Sequence, residues 1–181
     1  FLMPEPENGS ASVFLNYSVP LQNFVNNGGT VIFCGASSTY TTCILNTGLL
    51  SGNYAGNAWN SNVSVINTST SLTDSIPLSY LASNATYTMN ITNPDKTELI
   101  SHNNNDVVTY RTIGAGKVIF IANDFFAYSA NEARLISNAI KWGVQGEIPW
   151  VDLDTLSGEV VPGDSTIIYV TINGTDLTPG N

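Results

Sequence analysis

Two short segments of the chain, residues 30–34 and 118–122, are apolar at almost every position. A strand with one solvated face alternates apolar and polar residues, whereas a strand buried on both faces is apolar throughout. Segments of this length therefore predict two central strands. Such strands occur mainly in α/β proteins, where helices cover the sheet, so the sequence predicts an α/β fold.

A helix pattern precedes the first of these strands. Ser18 is a plausible N-cap, and Pro20 is tolerated in the first turn of a helix. The apolar residues that follow have the spacing of a short amphipathic helix, which ends at two consecutive glycines: Leu21, Phe24, Val25, Gly28, Gly29. Helix, glycine pair and buried strand form one step of a layered α/β sheet.

The second buried strand belongs to a predicted hairpin and is followed by a helix. Residues 107–112 and 117–122 are joined by a Gly-Ala-Gly turn, which favours antiparallel pairing. Ser129 and Glu132 have capping-box spacing at the start of a helix. Its predicted buried stripe is Ala133, Ile136, Ala139, Ile140 and Trp142, and Gly143 ends it.

The last part of the chain, residues 150–181, is a strand, turn, strand pattern with no helix. Two or three strands cannot bury both faces of a sheet, and an isolated hairpin is only marginally stable in water. We expect this segment to pack on the rest of the chain, to take strands from another molecule, or to be a domain cut short. Each option indicates assembly or display rather than catalysis.

Composition excludes several classes of function. Charged residues make up only 10% of the 181 residues, and the net charge is −9. The five basic residues are scattered, so a nucleic-acid-binding surface is not expected: Lys96, Arg111, Lys117, Arg134, Lys141. No apolar run is long enough to span a bilayer, so no membrane span is expected.

Seven Asn-x-Ser/Thr sequons occur along the chain, which is rich in Asn, Ser and Thr: Asn8, Asn16, Asn62, Asn67, Asn84, Asn90, Asn173. About four or five would arise by chance from such a composition, so the excess is modest. Together with the few lysines and the neutral polar residues, the sequons favour an exported, extracellular or cell-surface protein that carries N-glycans.

The two cysteines, Cys34 and Cys43, would pair as a disulfide in a secreted protein and remain thiols in a cytosolic one. A catalytic pair of Cys34 with the single histidine, His102, requires the fold to bring them together. One histidine and well-separated acidic residues give no zinc-ligand spacing. We therefore expect no catalytic residues, no metal and no cofactor.

At residues 21–33 the helix, Gly-Gly and buried-strand pattern resembles a step of class I glutamine amidotransferase-like domains, in particular their ThuA-like branch. Residues 114–121, followed by a helix ending in residues 138–142, resemble the last strand and helix of that family. The resemblance implies a flavodoxin-like α/β sandwich. Because the family's first βαβ units would precede Leu21, either the sheet is shortened or those strands come from elsewhere; we expect a shortened sheet.

Residues 150–181 resemble the first half of an Ig-like bacterial surface repeat, through Trp150, the Ser157-Gly158 and Pro162-Gly163 turns and the strand at 168–172. The predicted organisation is thus an N-terminal arm (1–17), a flavodoxin-like domain (18–143), a linker (144–149) and an incomplete Ig-like β segment (150–181).

These observations lead to the hypothesis of a non-enzymatic extracellular structural or surface glycoprotein. Its copies would form a head-to-tail assembly or fibre by strand addition, with residues 1–17 as the donor strand and other copies of the chain as partners. Two alternatives stay open. One is a carbohydrate-binding or adhesin module that uses aromatic residues as a sugar platform: Tyr40, Tyr54, Trp59, Tyr80, Tyr87. The other is a degenerate ThuA-like enzyme.

Overall fold

The two apolar segments form neighbouring strands near one edge of a mixed sheet, which has nine strands within the described part of the chain. The structure is a computed structural model that describes residues 2–3, 12–35, 37–124, 127, 129–144, 151–153 and 170–172. The chain divides into two units, residues 1–144 and 145–181.

The elements of the first unit follow one another in a mixed α/β order. Its helices are α1 (Ser12–Leu15), α2 (Ser18–Asn26), α3 (Ser38–Asn46) and α4 (Ala130–Val144), with a 3-10 turn at Ser71–Thr73. Its strands are β1 (Leu2–Met3), β2 (Thr30–Cys34), β3 (Gly52–Asn57), β4 (Asn62–Val65), β5 (Ser79–Leu81), β6 (Tyr87–Ile91), β7 (Thr97–His102), β8 (Asn105–Ile113) and β9 (Gly116–Ile121).

The sheet has a parallel part and an antiparallel part. Its strand order is β1-β2-β9-β8-β7-β4-β5, and β3 pairs with β6, which joins β8 at Met89 and Asp106. β1, β2 and β9 are parallel, with Cys34 opposite Ile121, and β9 then pairs antiparallel with β8. The predicted hairpin of residues 107–122 is therefore confirmed, and the carboxyl ends of β2 and β9 meet at one edge of the sheet.

Close packing explains why both buried strands are apolar throughout. Val31 to Cys34 and Val118 to Ile121 are each no more than 3% exposed, and α2 and α4 both pack against β2 and β9. Gly116 permits this approach, because a Cβ there would lie 2.0 Å from the carbonyl oxygen of Val25 at the end of α2. Burial of these side chains supplies the main driving force for the fold.

Helix α2 lies where the sequence predicted it, but its predicted cap is wrong. Ser18 is the first helical residue and Tyr17 occupies the N-cap position. The Ser18 hydroxyl donates instead to the carbonyl of Thr47, at 3.0 Å. The helix ends at Asn26, just before the predicted glycine pair. Gly28 has a positive φ of 99°, and its N–H donates to the carbonyl of Val25.

The prediction of a separate N-terminal arm over residues 1–17 is also wrong for its described residues. Leu2 and Met3 form β1, parallel to β2, so the first unit begins with a short strand, two helices and a parallel strand. Ser12–Leu15 is helical, and Phe14 is 9% exposed and belongs to the core. Burial of this aromatic side chain outweighs the weak local preference of the segment.

The buried face of α4 is rotated from the predicted stripe. Ala139 is fully buried and Ile136 packs partly against the core, as predicted, but Ile140 is 48% exposed. Leu135 and Glu132 are each 1% exposed and take its place. Periodicity alone favoured the apolar Ile140, whereas the structure buries a carboxylate that has hydrogen-bond partners.

In the second unit, the described residues form one antiparallel pair. β10 (Val151–Leu153) and β11 (Val170–Ile172) pair with Val151 opposite Ile172. The predicted linker residues 145–149 and the two predicted turns at 157–158 and 162–163 lie outside the described residues.

Candidate functional site

The carboxyl edge of the parallel strands brings together residues that are far apart in sequence. The N–H of Gly35 donates to the carbonyl of Ile121, at 2.8 Å, and so extends the β2–β9 ladder. Gly35 has a φ of +29°, and a Cβ there would lie 2.3 Å from the backbone nitrogen of Asp124. Only glycine allows the chains that leave β2 and β9 to approach so closely.

A buried carboxylate lies beside this edge. Glu132, in the first turn of α4, accepts hydrogen bonds from the Thr86 hydroxyl at 2.7 Å and from the Ser83 N–H at 3.3 Å. The Asn123 amide donates to its second oxygen at 3.0 Å and to the Ser83 hydroxyl at 2.5 Å. The capping box predicted with Ser129 is thus replaced by long-range contacts that join α4 to the β5–β6 loop and to the end of β9.

Tyr80 is a further buried residue with a polar group, its hydroxyl, in the same region. It is 5% exposed, and its hydroxyl has no hydrogen-bond partner. Burial, reinforced by the negative charge of Glu132, raises the pKa of Tyr80 above its ordinary value of 10. The phenol therefore remains neutral and cannot act as a base at physiological pH.

The cysteines do not form the disulfide that was predicted. Cys34, at the end of β2, and Cys43, in α3, are both thiols in the structure and are both buried. Each packs in the core as a small apolar residue. Desolvation raises the pKa of Cys34 to about 12, so the thiolate that nucleophilic catalysis requires is strongly disfavoured.

His102 lies at the end of β7, and β9 and β8 separate that strand from β2, which carries Cys34. Three strand spacings correspond to about 14 Å, far beyond hydrogen-bond reach. The His102 ring instead contacts the carbonyl of Asn62 through Nδ1, at 3.0 Å, and the Asn103 amide through Nε2, at 2.9 Å. The sheet therefore keeps the two residues of the hypothetical catalytic pair apart.

Five of the seven sequon asparagines lie within the described residues, and all five reach the surface. Asn16, Asn62, Asn84 and Asn90 are exposed, and Asn67 is half-buried. The side-chain oxygen of Asn67 accepts from the N–H of Ser69, at 2.9 Å, which forms a local turn. Asn8 and Asn173 lie outside the described residues.

The aromatic residues proposed as a sugar platform are not all available to a ligand. Tyr80 is buried, and Tyr40 and Tyr54 are half-buried. Trp59 is 44% exposed and contacts Tyr87 edge to face, with ring centroids 5.6 Å apart. Trp59 is therefore the most exposed residue of the predicted platform.

Among the described residues of the first unit, charged side chains form two ion pairs and one cation–π contact. Lys96 contacts the buried Asp106 at 2.7 Å, Arg111 contacts Asp95 at 2.9 Å, and the Lys117 ammonium lies 4.5 Å from the Trp142 ring centroid. Among the described residues, no group of three His, Cys, Asp or Glu side chains could hold a metal ion. No helix in that part of the chain is long and apolar enough to cross a membrane.

Sequence reasoning missed the Glu132 cluster. Ser83, Thr86 and Asn123 are common polar residues in unremarkable positions, and their partner lies 9 to 49 residues away. The signal that could have revealed the cluster was the carboxylate of Glu132 within an otherwise apolar helix face. The capping-box hypothesis had assigned that carboxylate to the start of the helix.

Comparison with known proteins identifies the fold. No protein-family model matches the chain, and no curated protein matches its sequence. Among solved structures, a Bacteroides uniformis protein described as ThuA-like matches with a TM-score of 0.55 and 17% identity, over 73% of this chain and 65% of its own. The first unit has a ThuA-like, flavodoxin-type fold.

Two cytoplasmic proteins of Salmonella typhimurium are similar in the same way. One has a TM-score of 0.55 and 12% identity, over 74% of this chain and 68% of its own. The other, from strain LT2, has a TM-score of 0.56 and 13% identity, over 78% and 67%. The chain thus spans about two thirds of each of these three structures, and at these identities the likeness shows the fold alone.

Proposed function

We propose that this chain is a non-enzymatic, extracellular structural or surface glycoprotein. The observation that carries the proposal is the position of the sequons: the asparagines at 16, 62, 84 and 90 are all exposed. They lie on four separate parts of the fold, namely the α1–α2 turn, β4, the β5–β6 loop and β6. A glycan at any of them would extend into solvent without displacing a core residue.

The chemistry at the carboxyl edge of the parallel strands supports a non-enzymatic role. A general base must lie within hydrogen-bond reach of the nucleophile that it activates. Cys34 is buried with its pKa raised to about 12, and His102 is on a strand three positions away. The ThuA-like fold would then serve as a scaffold in this chain.

We further propose that the second unit is the first half of an Ig-like surface repeat, completed by strands from another molecule. The described residues of this unit, β10 and β11, form an antiparallel pair, as strands of such a repeat do. Copies of the chain would then form a head-to-tail array.

The sequence predicted residues 1–17 as the donor strand. For the sheet domain, we reduce this donor segment to β1. β1 contributes two residues at the sheet edge, so its exchange with the β1 of a neighbouring copy would keep the same parallel pairing with β2. Phe14 belongs to the core and would remain with its own chain.

The test is electron microscopy of the native protein combined with its intact mass. We expect ordered filaments of a subunit heavier than the 19.3 kDa of the bare chain. Deleting residues 1–3 should abolish the filaments and leave a monomer with unchanged circular dichroism. Filaments that survive the deletion would refute strand exchange, and a monodisperse particle at the bare mass would refute the glycoprotein assembly.

One alternative function has a specific observation in its favour. The solvent-exposed Trp59, supported by Tyr87, could bind sugars of another molecule as a carbohydrate-binding module would. A glycan array with the wild type and a Trp59→Ala variant tests this alternative. Binding that the variant loses would favour the module over the structural role.

A further inference from the structure

Trp59 lies in a tight turn between β3 and β4 that holds it in a fixed position. The Ser61 N–H donates to the carbonyl of Ala58 at 3.1 Å, which closes the turn, and Asn60 has the positive φ of 50° that such turns require. The Ser61 hydroxyl also donates to the carbonyl of Trp59, at 3.1 Å. Ala58 is fully buried, so it anchors the turn to the core.

The Trp59 ring is held from one side and remains open to solvent. It meets Tyr87 at an interplanar angle of 81° with centroids 5.6 Å apart, yet 44% of the residue is exposed. Tryptophan is not among the residues that turns favour, which are mainly Gly, Pro, Asn, Asp and Ser.

The sequon asparagine Asn62 follows Trp59 by three residues, and its backbone is held by strand pairing and a hydrogen bond. It is the first residue of β4 and lies opposite Leu81 of β5. Its carbonyl contacts Nδ1 of His102 at 3.0 Å. Because a carbonyl only accepts, Nδ1 carries the proton, and Nε2 then accepts from the Asn103 amide. The Asn62 side chain, by contrast, is exposed.

The surroundings of this turn in the sequence are uncharged. No Asp, Glu, Lys or Arg occurs between Glu7 and Asp74. An exposed tryptophan among neutral amide and hydroxyl side chains suits a neutral ligand with both C–H and hydroxyl groups, which is the chemistry of a sugar ring.

We infer that Trp59 is the intramolecular docking platform for the first sugar of an N-glycan on Asn62. This inference rests on the proposed glycosylation of the chain. Three residues of chain reach at most about 10 Å, so a sugar linked to Asn62 can return over the indole ring. The apolar face of the sugar would cover the exposed ring, and its hydroxyl groups would remain in water.

The test is a double-mutant cycle on the full chain, secreted from a eukaryotic host that attaches N-acetylglucosamine. The variants are Asn62→Gln, Trp59→Leu and their combination, with Asn90→Gln as the matched control. Occupancy of each sequon is read from glycopeptide mass, and stability from thermal unfolding. Trp59→Leu keeps an apolar side chain, so a folded variant is expected.

We expect Asn62→Gln to lower Tm by about 3 °C in the wild type and by less than about 1 °C in Trp59→Leu. Asn90→Gln should have the same effect whether or not Trp59 is present. In the wild type, the acetyl methyl resonance of the Asn62-linked sugar should be shifted upfield by the indole ring current, and the shift should disappear in Trp59→Leu.

The experiment distinguishes failure of the Trp59 platform from failure of the glycoprotein proposal. If other sequons are occupied but Asn62 is not, or if the Asn62 effect does not depend on Trp59, the platform is refuted and the glycoprotein proposal stands. If no sequon is occupied in this host, both proposals are refuted.

Discussion

Asp106 and Glu132 are both 1% exposed, yet the protein stabilises these two buried carboxylates in different ways. Asp106, in β8, contacts the Lys96 ammonium through both oxygens, at 2.7 and 2.9 Å, and accepts from the Ile91 N–H and the Thr109 hydroxyl. Glu132 accepts instead from three neutral groups: the Ser83 N–H, the Thr86 hydroxyl and the Asn123 amide.

The two carboxylates stabilise different parts of the sheet. The partners of Asp106 lie within 15 residues of it, so the antiparallel part carries its own charge compensation. Those of Glu132 lie on the loop before β6 and at the end of β9, so its carboxylate ties α4 to the parallel edge. A buried charge needs hydrogen bonds in either case, but only Asp106 has an opposite charge.

The largest effect is expected from removal of the Glu132 carboxylate. Glu132→Ala leaves three buried donors without their acceptor, at about 1–3 kcal/mol for each group that water cannot reach. We expect the free energy of unfolding to fall by about 3 kcal/mol or more in urea titrations. Glu132→Gln, which keeps one acceptor oxygen, should lose less than half of that. Equal losses would mean that the charge, rather than the hydrogen bonds, stabilises this site.

A smaller loss of stability is expected when Asp106, like Glu132, is left with neutral hydrogen-bond donors only. Lys96→Met removes the cation and leaves neutral donors on a buried carboxylate. Breaking a fully buried pair costs about 3–5 kcal/mol. Because the Lys96 side chain is 24% exposed, we expect about 2 kcal/mol here.

The matched control for Lys96→Met is Asp95→Asn, which breaks the exposed Arg111 pair, where Asp95 is 45% exposed. It should cost less than about 1 kcal/mol. A Lys96→Met variant as stable as this control would show that neutral donors alone satisfy Asp106.

The smallest effect concerns Glu98, a half-buried neighbour of Asp106. Desolvation and the charge of Asp106 raise the pKa of Glu98 above its ordinary value of 4.5, although Lys96 opposes the shift. One of its oxygens is buried without a hydrogen-bond partner. A raised pKa in the folded state stabilises the protein below pH 4.5, and this contribution is lost as pH rises through the folded value.

Glu98→Gln should therefore be more stable than the wild type at pH 7, by about 2 °C in Tm, and equal to it near pH 4. Thermal unfolding at both pH values checks this. A stabilisation of the same size at pH 4 would show that the amide, and not the lost charge, is responsible.

Local sequence patterns were enough to predict the central strands, the β8–β9 hairpin and the position of α2. These depend on short-range signals, namely continuous apolar segments and glycine turns, which remain valid wherever the segment lies. The ThuA-like resemblance also came from such local patterns. The exposed positions of the sequon asparagines are consistent with their polar character.

Which side chains share a site depends on the fold and could not be predicted from local patterns. Ser18 does not cap α2, because its hydroxyl donates to the carbonyl of Thr47. Leu2 and Met3 pair with β2 at the edge of the sheet. Glu132 replaced Ile140 on the buried face of α4 because Ser83, Thr86 and Asn123 converge there. Burial of a carboxylate depends on donors that are distant in sequence, and no local pattern encodes their convergence.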